Sequence, residues 1–141
     1  MTSDQRLSVA LHALQHLYRG KQPKTSEALG SLLKTHPVVL RRTFAGLREA
    51  GLVRAVKGHG GGWSLSRPID RMTLRDVYDA LGILPRFALG RPRSRSGCAL
   101  ERASDEAVAS ASSEAQALLL NRLGAVTVFR LLEVARTKKG A

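Results

Sequence analysis

The chain contains little cysteine and has no long apolar run. Cys98 is the sole cysteine among 141 residues, which excludes a disulfide within one chain and a zinc site of four thiolates. We expect a reducing, cytoplasmic setting for such a sequence. No stretch approaches the roughly 18 apolar residues that a membrane span needs. The first residues also lack the basic-then-apolar order of a signal peptide. The sequence therefore predicts a soluble protein with no membrane partner.

Acidic residues are scarce relative to basic ones. Lys and Arg number 23 against 11 Asp and Glu, a formal net charge of +12. Residues 1–67 carry net +8, whereas residues 68–141 carry net +4. The N-terminal half therefore produces most of the field that would attract a polyanion. Charge alone does not separate a nucleic-acid-binding protein from an ordinary basic one.

Signatures of catalysis are lacking as well. The sequence has no Ser-His-Asp or Cys-His order and no phosphate loop, and Asp76 and Asp79 are typical of solvated charges on a helix. His12 and His16 have the spacing to share a metal ion, but such pairs are more often solvent or interface residues. We expect neither an enzyme nor a metal site.

Three helices are predicted before residue 51. The first covers residues 3–19, and the second begins at Thr25 or Ser26, either of which can cap it. Gly30 weakens that second helix. Its inward positions are predicted to be Ala28, Leu29, Leu32 and Leu33.

The third helix, residues 37–50, follows a break at Thr35, His36 and Pro37. Its predicted buried face consists of Leu40, Phe44 and Leu47, and the outward positions include Val38, Arg41 and Arg42. Two helices joined by a tight turn, the second carrying outward arginines, are typical of a helix-turn-helix. An ordinary helical hairpin with solvated arginines is the alternative.

A glycine-rich hairpin follows over residues 51–65. Two short apolar strands flank a turn with four glycines and the basic side chains of Lys57 and His59. A bare, cationic tip suits a phosphate backbone, although the glycines are also compatible with a purely structural turn. Trp63 alternates with Ser64 and is predicted to pack under the hairpin.

The remaining chain is predicted to be helical apart from an Arg-rich loop at 84–98. Thr73 and Asp76 form a capping-box-like helix start. A long alanine-rich helix covers residues 99–123, and Thr127 starts a last short helix. The long helix has more apolar surface than so small a domain can cover, so we expect a partner's matching helix on it.

Three sequence segments resemble the Rrf2 family of bacterial winged-helix transcription regulators. They are LRRTFAGLREAGLV from Leu40 to Val53, KGHGGGW from Lys57 to Trp63, and MTLRDVY from Met72 to Tyr78. The resemblance implies a mainly α fold with a small β-hairpin: a winged helix-turn-helix domain at 1–83, the loop at 84–98, and a dimerisation helix with a terminal short helix at 99–141.

The resemblance further implies a homodimer that binds a palindromic operator, and we expect a repressor. The candidate DNA-binding residues are Thr25, Ser26, His36, Val38, Arg41, Arg42, Lys57, His59, Gly60 and Gly61. Arg41 and Arg42 are the predicted base readers, since a guanidinium can donate two hydrogen bonds to guanine. A nonspecific protein that coats RNA or DNA is the alternative function, because the +12 charge suffices for it.

Some members of this family sense an iron–sulfur cluster through three clustered cysteines, a pattern from which this chain departs. With Cys98 alone it resembles the single-cysteine, cluster-free branch, and we expect no cofactor. Cys98 precedes the long helix among several arginines, which favours a thiolate and makes it a candidate redox sensor. A small structural residue in a loop or interface is the other interpretation.

Overall fold

The computed structural model describes residues 3–87 and 97–140. The chain forms two compact units, of which the first runs as far as Leu84 and resumes at Gly124, and the second comprises Pro85–Leu123. Across the described ranges, no helix has the length and apolar character to cross a membrane. Most of the predicted Arg-rich loop, including Arg91, Arg93 and Arg95, lies outside the described residues.

Three helices begin the first unit. Helix α1 spans Ser3–Gly20, α2 spans Ser26–Leu33 and α3 spans Pro37–Glu49, so all three predicted helices are confirmed. The start of α2 is fixed by Thr25, whose Oγ1 accepts a hydrogen bond from the Ala28 amide at 3.1 Å. This cap satisfies one of the amides that a helix leaves without an internal partner.

The inward face of α2 differs from its prediction. Ala28 and Leu32 are exposed, whereas Ser26 and Gly30 are buried. Gly30 lies under the turn that leads to α3, where an added Cβ would come within 2.8 Å of the Thr35 carbonyl oxygen. The glycine that looked like a weakness in the helix is therefore what lets the following turn fold tightly over it.

A two-stranded antiparallel hairpin, here called the wing, follows α3. Strands β1 (Val53–Val56) and β2 (Gly62–Leu65) pair in the predicted region. The main chain of Lys24 extends this pairing, since its N–H donates to the Trp63 carbonyl at 3.0 Å and its carbonyl accepts from the Trp63 N–H at 2.8 Å. The wing is thus bonded to the segment immediately before α2.

A 3₁₀ turn at Ile69–Arg71 leads into α4, Leu74–Leu81. The predicted capping box is confirmed: Thr73 Oγ1 accepts from the Asp76 amide at 3.1 Å and Asp76 Oδ2 accepts from the Thr73 amide at 2.9 Å. Arg67 donates to the same Asp76 oxygen at 3.1 Å. Because Asp76 closes the cap and pairs with Arg67, it is a structural carboxylate.

The last helix, α6 (Val128–Lys139), belongs to the first unit. The sequence-based prediction placed this helix in one segment with the long helix, residues 99–141. In the structure, however, the Val128 amide donates to the Met72 carbonyl at 2.7 Å, and the Leu74 amide donates to the Val126 carbonyl at 2.8 Å. The Val128 side chain is fully buried. These contacts fix the start of α6 against the start of α4.

One hydrophobic core holds the first unit together. Its buried side chains are Ala10, Ala13, Leu14, Leu17, Leu29, Leu40, Phe44, Leu47, Leu52, Val53, Ile69, Met72, Val77, Leu81 and Val128. Trp63 stacks on Phe44 with ring centroids 5.0 Å apart. The three positions predicted to form the inner face of α3 are all in this core, and Trp63 packs against it as predicted.

Helix α5, Ala99–Gly124, is the longest element, with 26 residues. None of them is buried, and Leu100 and Leu118 are 79% and 59% exposed. Within the second unit the side chain of Gln116 fastens the preceding segment: its amide nitrogen donates to the Pro85 carbonyl and its oxygen accepts from the Phe87 amide. The predicted mainly helical fold with a small hairpin and a long C-terminal helix is therefore confirmed.

Candidate nucleic-acid interface

The exposed face of α3 carries the side chains that were predicted to read bases. Val38 and Arg42 lie on this face, one turn apart and opposite the buried Phe44. In the part of the chain that the structure describes, no acidic side chain pairs with Arg42. Its guanidinium is therefore available to an outside acceptor.

Arg41 has a different environment from Arg42. Its Nη1 lies 3.2 Å from Glu27 Oε1 on α2, and both side chains are exposed. An exposed pair of this kind contributes about 0–1 kcal/mol, so the guanidinium can exchange partners at little cost. The two arginines are predicted to have equal roles. In the described residues they differ, because Arg41 pairs with a carboxylate and Arg42 does not.

His36 caps the start of α3. Its Nδ1 accepts a hydrogen bond from the Val38 amide at 3.2 Å, and Pro37 occupies the first turn. A ring nitrogen that accepts a hydrogen bond carries no proton itself, so in this arrangement the N–H of the imidazole is at Nε2. The exposed Nε2–H of His36 is consequently a hydrogen-bond donor at the N-terminal end of α3.

The start of α2 places Thr25 and Ser26 in contrasting positions. Thr25 is exposed and its hydroxyl caps the helix. Ser26 is only 7% exposed, and its Oγ accepts from Trp63 Nε1 at 3.0 Å. The structure therefore does not present the Ser26 hydroxyl to a phosphate as expected, because the indole that stacks on Phe44 needs that acceptor.

The wing tip exposes its two basic side chains, Lys57 and His59. Gly60 has φ +75° with open space around it. At Gly61, by contrast, an added Cβ would lie 2.3 Å from the Val56 carbonyl oxygen. Gly61 is thus required by the hairpin itself, and Gly60 by the backbone conformation of an open tip.

Arg54 is a candidate that sequence analysis missed. It lies on β1 opposite Ser64 and is exposed, while its neighbour Val53 is buried. Successive side chains of a strand point to opposite faces, so a basic residue next to the apolar Val53 in the predicted strand was the signal that could have identified it. Arg54 adds a second formally charged cation to the wing beside Lys57.

The paired histidines His12 and His16 lie one turn apart on α1. His12 Nδ1 hydrogen-bonds the Ser8 carbonyl oxygen at 2.8 Å. The pKa of His16 is lowered, first by partial burial and then by the positive charges of Lys24, His12 and Arg19. A neighbourhood this cationic disfavours the binding of a further cation between the two rings.

Cys98 lies one residue before α5 and is exposed. Hydrogen bonds from the backbone amides of Glu101 and Leu100 lower the pKa of its thiol. The helix start thus favours the thiolate, as expected from the sequence. Of the arginines invoked for the same effect, only Arg102 falls within the described residues.

Solved structures share this fold. A Lactobacillus plantarum protein named as a transcriptional regulator superposes with a TM-score of 0.73 at 21% identity, covering 93% of this chain and 89% of that one. CymR, the global cysteine regulator of B. subtilis, superposes with a TM-score of 0.63 at 18% identity, covering 95% and 97%. Likeness at this identity establishes the fold alone.

A sequence relative matches over a shorter stretch. YwgB of Bacillus subtilis, which carries the name of an HTH-type transcriptional regulator, is 39% identical over 57 residues. The match covers 40% of this chain and 36% of YwgB. The chain thus spans only about a third of the relative's length in that alignment.

The sequence model of the Rrf2 family, described as iron-dependent transcriptional regulators, matches residues 3–134. An iron-dependent regulator needs side chains that can bind the iron, so the possible ligands of this chain can be compared with that requirement. The chain has one cysteine, and within 3–87 and 97–140 no three His, Cys, Asp or Glu side chains gather where they could hold a metal. A cluster bound through thiolates takes four ligands. The donors of a single chain therefore do not fit such a cluster.

The family match covers nearly the whole chain, including the helix-turn-helix, the wing and α5. The fold of the solved relatives agrees with it over the same length. The chain therefore belongs to the Rrf2 family of DNA-binding transcriptional regulators.

Proposed function

We propose that two copies of this chain bind a palindromic operator in double-stranded DNA and repress transcription in the cytoplasm of a bacterium. The observation that carries the proposal is an Arg42 on the exposed face of α3 that pairs with no acidic side chain of the described residues, in a unit whose basic wing is hydrogen-bonded to the segment before α2. A reading helix and a positioning wing are thereby held in one rigid unit. Nonspecific coating would need the positive charge alone.

Base reading is assigned to the exposed face of α3. Arg42 can donate two hydrogen bonds to guanine O6 and N7 without losing an internal partner, and Val38 can contact a thymine methyl group. Arg41 can do the same after it leaves Glu27. We therefore expect Arg42 to contribute more than Arg41 to the choice of sequence.

Positioning on the phosphates is assigned to the helix starts. The first-turn amides of α2, around Thr25 and Ser26, and the Nε2–H of His36 are the available donors. Such contacts fix the register of α3 along the duplex without carrying sequence information. The buried Ser26 contributes its backbone amide only.

The wing is assigned to the backbone or minor groove beside the major-groove site. Lys57 and Arg54 supply exposed positive groups and His59 an exposed ring that can hydrogen-bond, while Gly60 and Gly61 have no side chains. Because these contacts are electrostatic, they should be shared by all sequences and weakened by salt.

Dimerisation is assigned to α5. This helix of 26 residues buries none of them, and its apolar positions include Leu100, Val108 and Leu118. A second copy of the same helix would cover these side chains and would relate two winged-helix units by a two-fold axis. An operator with two-fold symmetry follows from that geometry.

Control by oxidation is assigned to Cys98. Its lowered pKa raises the fraction of thiolate over that of an ordinary cysteine, and the thiolate can attack a peroxide, forming an S–O bond as the O–O bond breaks and hydroxide leaves. The resulting sulfenic acid can condense with a second thiol and release water. The position just before α5 would transmit the change to the dimer.

The DNA assignment is tested by binding titrations on an operator selected from genomic fragments, over a series of salt concentrations. Arg42→Ala should cost about 1–3 kcal/mol on the operator and relax one base position, whereas Lys57→Ala should weaken all sequences alike and lower the salt slope by about one. Arg136→Ala, which removes the same charge from α6, is the control and should change binding less than either.

The alternative function has a distinct outcome. A regulator should prefer its operator over bulk DNA by a factor of roughly 10³ or more. Equal affinity for both, together with unchanged sequence preference in Arg42→Ala, would favour the nonspecific coating protein and overturn the assignment of α3.

The dimer is tested by sedimentation of the full chain. Leu118→Glu should give a monomer with an intact winged-helix unit, because the charge would be buried without a partner in a two-helix interface. Ser113→Glu, on the same helix, serves as a control for added charge. A wild-type chain that sediments as a monomer at all concentrations refutes the homodimer.

The redox assignment is tested by adding hydrogen peroxide before the operator titration. Wild type should change its affinity, and Cys98→Ser should not. Indifference of the wild-type protein to peroxide, with Cys98 shown by mass spectrometry to be oxidised, would leave Cys98 as a structural residue.

A further inference from the structure

A cleft of about 530 Å³ lies in the first unit between α1, α3 and α4. Two cationic side chains line it, Arg6 from α1 and Arg42 from α3. Its other lining residues are uncharged and mostly apolar: Val39, Thr43, Gly46, Ala80 and Leu81. The volume is within the range of small-molecule sites, which extends from about 300 to 1,000 Å³.

The cleft exists because α3 and α4 meet backbone to backbone at one point. A Cβ on Gly46 would lie 2.4 Å from the Ala80 carbonyl oxygen, so only glycine permits this approach. With no side chain at Gly46, the space one turn before it, between Arg42 and α4, stays open. The cleft is therefore fixed by helix packing and does not depend on a loop.

The charges that line the cleft have one sign. The Arg6 guanidinium donates to the Leu81 carbonyl at the end of α4, which holds the cation at the cleft. Arg42 pairs with no acid of the described residues. Since no carboxylate of the described side chains lines the space, its potential favours an anion, and the mostly apolar remainder of the lining favours a ligand with a hydrocarbon body.

We propose that this cleft binds a small carboxylate with an apolar body. The carboxylate accepts hydrogen bonds from Arg42, with Arg6 contributing positive charge, and the apolar body lies against Val39, Ala80 and Leu81. A planar guanidinium matches the two oxygens of a carboxylate. Inorganic phosphate would meet the cations but gain nothing from the walls.

The site has a consequence for regulation that rests on the proposed function. Arg42 lies at the border between the exposed face of α3 and the cleft, so one guanidinium serves both ligands. A bound carboxylate would hold Arg42 at the cleft and lower affinity for the operator. By linkage, operator DNA would weaken carboxylate binding by the same factor.

Binding is tested on the full-length protein by titrating benzoate and following the backbone amide signals of Gly46, Ala80 and Leu81 by NMR. Benzoate should shift these signals saturably. Benzamide, the same body without charge, and inorganic phosphate, the charge without the body, should both bind at least about tenfold more weakly. Equal binding of either probe would refute the proposed chemistry, as would the absence of saturable shifts with benzoate.

A matched pair of variants locates the site. Arg42→Gln should weaken benzoate binding about tenfold or more, since it removes a charge-assisted contact. Arg48→Gln removes the same charge from the same helix but does not line the cleft, and should change the affinity less than about twofold. Equal losses in both variants would show a general charge effect and would overturn the proposal.

The effect of benzoate on operator binding is measured separately. Benzoate added to the complex of wild-type protein and operator should release DNA. Operator binding without benzoate tests the proposed function alone, so a protein that binds its operator but not benzoate would refute only this inference. Saturable benzoate binding without DNA release would refute the shared use of Arg42.

Discussion

The winged-helix unit and helix α5 use their apolar residues in opposite ways. Helix α3, with 13 residues, buries Leu40, Thr43, Phe44 and Leu47 within its own chain. Helix α5 is twice as long and buries none. Amphipathicity in α3 separates a core face from an exposed face, whereas no side chain of α5 is fully buried. The contrast shows that the buried core lies in the first unit, and it is the basis for the proposal that α5 serves in assembly.

The largest expected effect is a loss of stability when a core residue of the first unit is truncated. Phe44→Ala should lower the free energy of unfolding by about 3–5 kcal/mol, because it removes a fully buried ring and the stacking partner of Trp63. Urea denaturation monitored by circular dichroism measures the loss. Leu118→Ala on α5, measured at a concentration where the chain is monomeric, should cost far less. Equal costs would show that α5 is part of the same core.

Structural features that depend on residues close together in the sequence were predicted correctly. The buried face of α3, the hairpin, and the capping box of Thr73 and Asp76 each depend on residues a few positions apart, and all three were found. The fold class followed from these elements and their order.

Features set by distant partners were missed or misjudged. Ser26 is buried by Trp63, 37 residues away, and Arg41 is held by Glu27 on another helix. The bonding of the wing to Lys24 likewise joins segments far apart in sequence. Such pairings depend on how the helices pack, and no periodicity in the chain encodes them. The cleft beside Gly46 could not be predicted from the sequence for the same reason.

The next largest loss of stability is expected where Trp63 attaches the wing to the start of α2. Trp63→Phe keeps a ring on Phe44 but leaves the buried Ser26 hydroxyl without its indole donor. We expect a loss of about 1–3 kcal/mol in unfolding free energy. Adding Ser26→Ala should restore part of it, because the unsatisfied hydroxyl is then gone. No recovery in the double variant would mean that ring volume, and not the hydrogen bond, anchors the wing.

A smaller loss of stability is expected when the N-cap residue of α4 or of α6 is replaced. Thr73→Ala breaks a capping box in which Asp76 also pairs with Arg67, and should cost about 1 kcal/mol. Thr127→Ala removes only the bond to the Arg130 amide and should cost the same or less. Thermal unfolding of both variants measures the difference. A greater loss for Thr127 would place more of the stability at the start of α6 than the contacts suggest.

The smallest effect concerns the thiol at the start of α5. The amides of Glu101 and Leu100 stabilise the thiolate, so the pKa of Cys98 is lower in the folded chain than in the unfolded one. Below the unfolded pKa the native protein should therefore carry more thiolate. The accompanying stabilisation is complete above the unfolded pKa and is lost as the pH falls through the folded pKa. Alkylation rates against pH, with and without denaturing urea, measure both values on a single cysteine.

A matched variant isolates the cause of this shift. Leu100→Pro removes one of the two donating amides at a first-turn position where proline is compatible with a helix, so the thiol pKa should rise toward its ordinary value. Leu100→Ala keeps the amide and should leave the pKa unchanged. If both variants titrate like wild type, the helix start does not activate Cys98, and α5 contributes assembly without the chemistry of a sensor.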